Sequence, residues 1–426
     1  GKEISFTKDG ANAYIIQLEK TQQKGQQGHI VVFYEGHPRE AKRAPWDGGV
    51  SWKKDKDGND FIATSCQGLG ASVWWPCKDH MYDEPDSMRI QVTVPNHLMN
   101  VSNGRLRKVE LHPESNTRTY DWFVSNPINN YGVNINIGNF VRFSETYAGE
   151  KGKLDMDYFV LPYNLEKAKV HFLDAPKMMQ AFEHWFGPYP FYEDGFKLVE
   201  VPYLGMEHQS SVTYGNQYMK GYLGRDLSGT GHGLNFDFII IHESGHEWFA
   251  NNITYKDIAD MWIHESFTNY SENLFLEYHQ SKQIGAEYVI GTRKNILNAS
   301  PIIGVYGVNK EGSGDMYYKG GNMLHTIRQI LQDDEKWRQI LRGLNKDFYH
   351  QVVTTEMVEK YLIDKSGISL EKVFDQYLRQ TAIPTLEWKA TKNTISYRWT
   401  TCIDGFNMPL DVLLDGKKVR LYPTTQ

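Results

Sequence analysis

Apolar and polar positions divide the chain into three textures. Up to about residue 160, short runs tend to alternate apolar with polar side chains, and the spacing predicts strands at Ala13–Leu18, His29–Tyr34, Met88–Val94 and Val133–Val141. Turn signals such as Asp47-Gly48-Gly49 and Lys56-Asp57-Gly58-Asn59 separate them. After Pro162 the period lengthens. From Leu165 on, Ala168, Phe172, Ala175, Met179, Phe182 and Phe186 recur at helical spacing and stop at Gly187-Pro188. A strand-like stretch, Phe196–Tyr203, follows, and helical periods then dominate to about Leu378. Beyond Pro384 the β texture returns at Thr394–Thr400 and Leu410–Leu414, with a hairpin signal at Asp415-Gly416. The organisation expected is an N-terminal β domain over 1–160, a mostly helical domain over 161–386 and a small or incomplete β segment over 387–426.

Composition narrows the class of protein. The 426 residues are 40% hydrophobic and 23% charged, which suits two or three globular domains and excludes a disordered chain. With 46 basic against 52 acidic side chains, a formal charge of −6 and no basic cluster, nucleic acid is not expected as a partner. No apolar run reaches the roughly 18 residues of a transmembrane helix. Cys66, Cys77 and Cys402 cannot all pair, so this is no disulfide scaffold. The chain begins at Gly1 with no signal-like segment, so a processed start is the expectation.

The chemistry concentrates in His242-Glu243-Ser244-Gly245-His246, directly after the apolar run Phe236–Ile241. Two histidines four apart on a helix share a face and can bind one zinc ion. Glu243 stands beside the first of them, where a carboxylate can take a proton from water activated at the metal. A pair of buried histidines satisfied by hydrogen bonds is the plainer alternative. Catalytic zinc usually takes three protein ligands, and Glu265, eighteen residues beyond His246, opens a second helical segment to His279. Two antiparallel helices joined through Asn251–Trp262 would return Glu265 beside the histidines. Glu272, seven residues on, lies on the same face and either accepts the outer N–H of a ligand histidine or is a solvated helix carboxylate.

His-Glu-x-x-His, eighteen residues and then Glu resembles the signature of the aminopeptidase N-like zinc metallopeptidases, which include the leukotriene hydrolases. Further segments are similar. Gly205-Met206-Glu207-His208 stands where the family has Gly-Ala-Met-Glu-Asn, and Tyr317-Tyr318-Lys319-Gly320 matches its Tyr-x-Lys-Gly. Trp74-Trp75-Pro76-Cys77-Lys78-Asp79 and Phe186-Gly187-Pro188-Tyr189-Pro190-Phe191 also resemble family elements.

The resemblance implies a multidomain α+β fold: a β-rich saddle-like N-terminal domain, a thermolysin-like catalytic domain with a small sheet, and the start of a C-terminal β module. It implies one Zn²⁺ per chain on His242, His246 and Glu265, with Glu243 as general base and Tyr317 donating to the oxyanion. Glu207 and Gln67 would hold the free α-ammonium of a peptide, and Gly205 and Met206 would present an extended edge to its backbone. Tyr317 is chosen over Tyr318 because the family's tyrosine lies two before Lys-Gly. The expected function is a zinc aminopeptidase acting on peptides with a free N-terminus. The alternatives are a zinc endopeptidase with an open cleft and a catalytically silent binding member of the family. The chain departs from the pattern at Leu204, His208 and His264, the two histidines replacing Asn. These put substrate preference in question and raise either a titration near neutral pH or, more simply, histidines held by hydrogen bonds. Larger relatives continue into a helical domain that roofs the site. The chain therefore reads as a fragment or as a naturally short member.

Overall fold

The structure, a computed structural model, describes residues 2–426. It comprises two units, divided after His37. The smaller contains a hairpin of β1 (Phe6–Asp9) and β2 (Ala13–Ile16), so the first expected strand is present. The strand expected at His29–Tyr34 is not formed. That segment exposes Ile30, Val31, Val32, Phe33 and Tyr34, and among the described residues no strand pairs with it. Alternation makes a strand only where a neighbour satisfies the backbone N–H and C=O groups.

In the larger unit, β3 (Gly49–Lys54), β4 (Asp60–Ser65), β5 (Met88–Pro95), β6 (Met99–Ser102), β7 (Arg105–His112), β8 (Thr117–Val124) and β9 (Ile135–Gly138) form two antiparallel sheets. Their orders are β3-β4-β9-β6 and β5-β8-β7. Both contribute to an apolar cluster that includes Phe61, Ile90, Val101 and Trp122. The run expected at Val133–Val141 is divided, because the chain leaves one sheet at Gly138 and joins another at Val141. There β10 (Val141–Gly149) and β11 (Gly152–Val160) form a hairpin. They continue into β12 (Phe196–Glu200), β14 (Val212–Tyr214) and β13 (Gly205–Met206) as a five-stranded mixed sheet, with β13 at its edge.

The single helical period over Leu165–Phe186 becomes two helices, α1 (Leu165–His171) and α2 (Asp174–Phe186). Pro176 lacks an N–H and its ring would collide with the Phe172 carbonyl in a continuous helix. It is tolerated in the first turn of α2 instead. The helices α3 (Phe238–Gly245), α4 (Trp262–His279), α5 (Lys282–Gly291), α6 (Asp315–Leu331), α7 (Asp334–Asp347), α8 (Thr355–Ser366) and α9 (Glu371–Arg379) follow. Between α3 and α4, β15 (Ile253–Tyr255) pairs in parallel with β16 (Gln351–Val353). The central helix is α4, buried continuously from Trp262 to Leu276 and packed against α3, α5 and α6.

Two hairpins close the described chain, β17 (Thr385–Ala390) with β18 (Ile395–Thr400), and β19 (Leu410–Leu414) with β20 (Lys417–Leu421). The second turns through Asp415-Gly416, with φ of 49° and 76°, as a two-residue loop with both centres left-handed requires. The last strand before the helices, β11, ends at Val160, and β17 begins at Thr385. The β-rich first part, the mostly helical middle and the small terminal sheets are those expected. Among the described residues no helix is long and apolar enough to cross a membrane.

Candidate metal centre and active site

Helix α3 is fixed before it reaches the chemistry. Asp237 caps it, accepting from Ile240 N at 3.1 Å, and the same carboxylate takes the Tyr214 hydroxyl at 2.8 Å and so ties the cap to the sheet. Phe238 to Ile241 are buried, and His242 and His246 follow on one face with ring centroids 5.1 Å apart. The helix stops at Gly245. The next residues, Glu247–Asn251, form a wide irregular turn, with Phe249 at non-helical φ/ψ. The chain then passes through β15 and a short turn capped by Asp257, which accepts from Ala259 N, and enters α4 at Trp262, one turn earlier than expected. Glu265 therefore lies in the first turn of α4, facing the histidines.

Three ligand atoms converge. His242 Nε2 and His246 Nε2 stand 3.5 and 3.4 Å from the same oxygen, Glu265 Oε2. A tetrahedral zinc shell with bonds of about 2.0–2.2 Å has edges of about 3.3–3.6 Å, so these spacings fit one zinc ion. The outer nitrogens are already committed. His242 Nδ1 pairs with Glu272 Oε1 at 2.8 Å, and His246 Nδ1 lies 3.0 Å from the Phe249 carbonyl and 3.1 Å from Thr268 Oγ1. Both Nε2 atoms are thereby turned inward. Glu265 Oε2 is buried without a hydrogen-bond partner, as an atom reserved for a cation is. Burial opposes its ionisation, but the two imidazoles outweigh this and hold its carboxyl far below the usual carboxylate range.

Glu272 is wholly buried, so it is no solvated helix carboxylate. Asn269 donates to its Oε1 at 3.1 Å and the Tyr288 hydroxyl to its Oε2 at 2.6 Å. Glu243, one residue beyond His242, has its carboxyl pushed up to about 7 by burial, against the pull of His242. A carboxyl in that range can both take and return a proton near neutral pH.

Tyr317, in the first turn of α6, has its ring 6.0 Å from that of His242. Burial, reinforced by Glu265, Glu207 and Glu243, keeps its hydroxyl protonated and hence a donor. Gly320 makes this placement possible: a Cβ there would lie 1.9 Å from Ser266 Oγ, so only glycine lets α6 approach α4 this closely. Ser266 Oγ also donates to the Met316 carbonyl at 2.7 Å. The Tyr318 ring lies 6.5 Å from that of Tyr317 between centroids, and the carboxylate acting on its hydroxyl is Glu272 rather than Glu265, Glu207 and Glu243.

Glu207 follows the edge strand β13. Gln67 Nε2 donates to its Oε1 at 2.6 Å, which brings together two residues 140 positions apart. Among the described residues no Lys or Arg pairs with Glu207, and burial raises its carboxyl above the ordinary value. Gly205 lies against α3, where a Cβ would meet Ile239 Cγ2 at 2.5 Å, so the sheet edge passes directly beside the helix that bears His242 and Glu243. Met206 is buried and pairs with Thr213 across β14.

His208 and His264 resolve to the simpler reading. Burial lowers His208 to about 3 and takes His264 well below the imidazole range, so neither charges near neutral pH. His264 Nε2 accepts the Tyr255 N–H at 2.9 Å.

Several residues escaped sequence reasoning. Glu247, directly after His246, accepts from Ser210 N, Tyr189 and Asn251, and Asn251 Nδ2 donates to the Glu207 carbonyl at 2.8 Å. This pair clamps the loop that carries Glu207. Its signal was a carboxylate and an asparagine within an otherwise apolar segment. Tyr288, on α5, had no signal, since nothing in its own neighbourhood points to Glu272. A second trio, Glu207, Glu243 and His246, also brings ligand atoms together, but it shares His246 with the first. Its Glu207 is already hydrogen-bonded to Gln67, and the His242–His246–Glu265 set has the donor chemistry zinc prefers.

Residues 170–377 match the peptidase family M1 domain. The chain is 22% identical over 397 residues to tricorn protease-interacting factor F2 of Thermoplasma acidophilum, covering 88% of this chain and 48% of the relative. It is 24% identical over 411 residues to a leucyl aminopeptidase of Saccharolobus solfataricus, covering 93% and 49%. Among solved structures, an M1 zinc metallopeptidase of Deinococcus radiodurans with a bound Tyr-Ser-Ala substrate superposes with a TM-score of 0.73 at 18% identity, covering 90% of this chain and 83% of the other. The chain spans about half the length of the curated relatives it matches.

Proposed function

We propose that this chain, a member of the peptidase M1 family, is the catalytic part of a zinc-dependent aminopeptidase that releases the first residue from peptides with a free N-terminus. The observation carrying this reading is the charge balance of one buried pocket. Glu207, Glu243, Glu265 and Glu272 are all buried around two imidazoles, and no lysine or arginine pairs with any of them among the described residues. A divalent metal ion together with a substrate ammonium offsets most of that charge, and a blocked peptide leaves Glu207 uncompensated.

His242, His246 and Glu265 would hold the zinc, which when bound supplies a Lewis acid and lowers the pKa of water. The protein's own groups divide the remaining work. Glu207 accepts N–H bonds from the ammonium and, with Gln67, fixes where the chain of the substrate begins, so that the first peptide bond meets Glu243. The edge at Gly205 and Met206 offers backbone groups to an extended substrate. Glu243 removes a proton from the attacking water and delivers it to the leaving amine. The Tyr317 hydroxyl donates to the carbonyl oxygen as negative charge develops there.

Two results test this directly. In Glu207→Ala, kcat/KM for free peptides falls towards the value for their N-acetylated counterparts, while wild type discriminates strongly. Equal cleavage of free and acetylated peptides by the wild type overturns the exopeptidase reading in favour of an endopeptidase. Tyr317→Phe lowers kcat by about 10²–10³-fold with little change in KM, the loss typical of one oxyanion donor. An unchanged kcat removes Tyr317 from that role. The silent-binding alternative is not favoured, since none of the side chains the chemistry needs is missing from the sequence.

A further inference from the structure

The site contains a phenol that the mechanism above leaves idle. Tyr131 lies between β8 and β9 in a stretch whose neighbours are tightly held. Gly132 N donates to Asn129 Oδ1 at 2.6 Å, Asn103 Nδ2 to the Gly132 carbonyl at 2.7 Å, and Asn130 Nδ2 to the carbonyls of Lys78 and His80. The Tyr131 side chain is wholly buried, yet its hydroxyl has no hydrogen-bond partner. The stretch is tied to the loop that carries Glu207, since Asn103 Nδ2 also donates to the Gln209 carbonyl at 2.7 Å and Asn134 Nδ2 to the Ser211 carbonyl at 3.1 Å, and a buried hydroxyl left unmatched there points to a ligand. Burial, and after it the neighbouring Glu207 carboxylate, keeps the hydroxyl protonated, with Tyr255 and Glu265 next in influence. Tyr255 itself is stacked on His264 at 4.0 Å between centroids, and its hydroxyl is likewise buried and unpartnered.

An α-ammonium offers three N–H donors. The Glu207 carboxylate accepts one. Gln67 gives its amide N–H to Glu207, which frees its amide oxygen to accept a second. We propose that the Tyr131 hydroxyl oxygen accepts the third, its own proton directed at Glu207, so that Tyr131 is a further binding residue for the substrate's N-terminus. The inference rests on the reading of Glu207 as the ammonium anchor. It adds a selectivity: a secondary N-terminal amine has one N–H fewer and leaves one acceptor unmatched, so N-methylated or N-terminal proline peptides bind more weakly than those with a primary amine.

The test measures binding rather than turnover. Calorimetry on the zinc-loaded Glu243→Gln protein compares Leu-Gly with its des-amino analogue, 4-methylpentanoyl-glycine, before and after adding Tyr131→Phe. The phenyl ring keeps the packing, and an unchanged Tm verifies it. Expected is a ten- to hundredfold loss for Leu-Gly, on the scale of about one hydrogen bond to a charged group, with no change for the des-amino ligand. Equal losses for both ligands, or none for either, overturn the assignment. Glu207→Ala measured in parallel separates the two levels. If it also fails to discriminate the ligands, the ammonium pocket itself is wrong. If Glu207→Ala discriminates and Tyr131→Phe does not, only the role of Tyr131 falls.

Discussion

Glu243→Gln retains one zinc per chain and loses turnover by about 10²–10⁴-fold, the contribution typical of a positioned general base. The glutamine side chain has nearly the same volume, so the walls of the pocket and the three ligand side chains stay in place. It cannot take a proton from water. Because Glu243 is not among His242, His246 and Glu265, whose ligand atoms converge, metal analysis and kinetics should separate cleanly. Peptide affinity is expected to stay within a few-fold of wild type, since the contacts to the substrate's N-terminus are assigned to Glu207 and Gln67 and not to Glu243. Turnover near that of wild type would assign the proton transfer to another group. Loss of zinc would make Glu243 a ligand rather than a base.

The histidine pair was legible because helical geometry alone places it, and the carboxylate eighteen residues on because a second helical segment returns it to the pair. Four residues make one turn, and an apolar run before His242 says which face is inward. Glu272 was ambiguous from sequence, for burial decides between a solvated carboxylate and a partner for His242, and burial of α4 depends on α5 and α6 packing over it. Glu207, Gln67 and Tyr317 were reachable only through resemblance. They are separated from one another by more than a hundred positions, and no local periodicity connects a loop after β4 with a loop after β13. The failed strand at His29–Tyr34 has the complementary cause. Its pattern was correct for a strand, but pairing is a property of two segments and the pattern describes one.

What neither pattern nor resemblance supplied is the support behind the site. Glu247 and Asn251 lie in the irregular turn after α3, and they hold the backbone of the Glu207 loop by bonds to Ser210 N and to the Glu207 carbonyl. The turn thus leads from the helix with the two histidines to β15 and α4, and also fixes the loop that meets the substrate. Tight approach of α6 at Gly320 sets Tyr317 relative to the same histidines. A shift in any of these elements therefore moves two functional groups together, so variants at Glu247 are expected to change KM and kcat jointly.

The two trios share only His246, so a carboxylate peculiar to one of them decides between them, and Glu265→Ala gives the largest expected effect. With only His242 and His246 left, the purified protein is expected to hold little zinc and to fall to background activity, because two neutral donors bind the ion far more weakly than three with a carboxylate among them. Glu272→Ala acts on the same ion through His242. It leaves the ligands in place but frees the His242 ring to turn, and zinc affinity falls by about 10–100-fold with activity restored by added zinc. Competition against a chelator ranks wild type, Glu272→Ala and Glu265→Ala in that order. If Glu265→Ala keeps its zinc while Glu207→Ala loses it, the ion belongs to Glu207, Glu243 and His246. The carboxylate assigned to the ammonium would then be a ligand, and the exopeptidase reading would lose its anchor. The orphaned Glu265 Oε2, equidistant within 0.1 Å from the two inward nitrogens at 3.5 and 3.4 Å, argues for the opposite outcome.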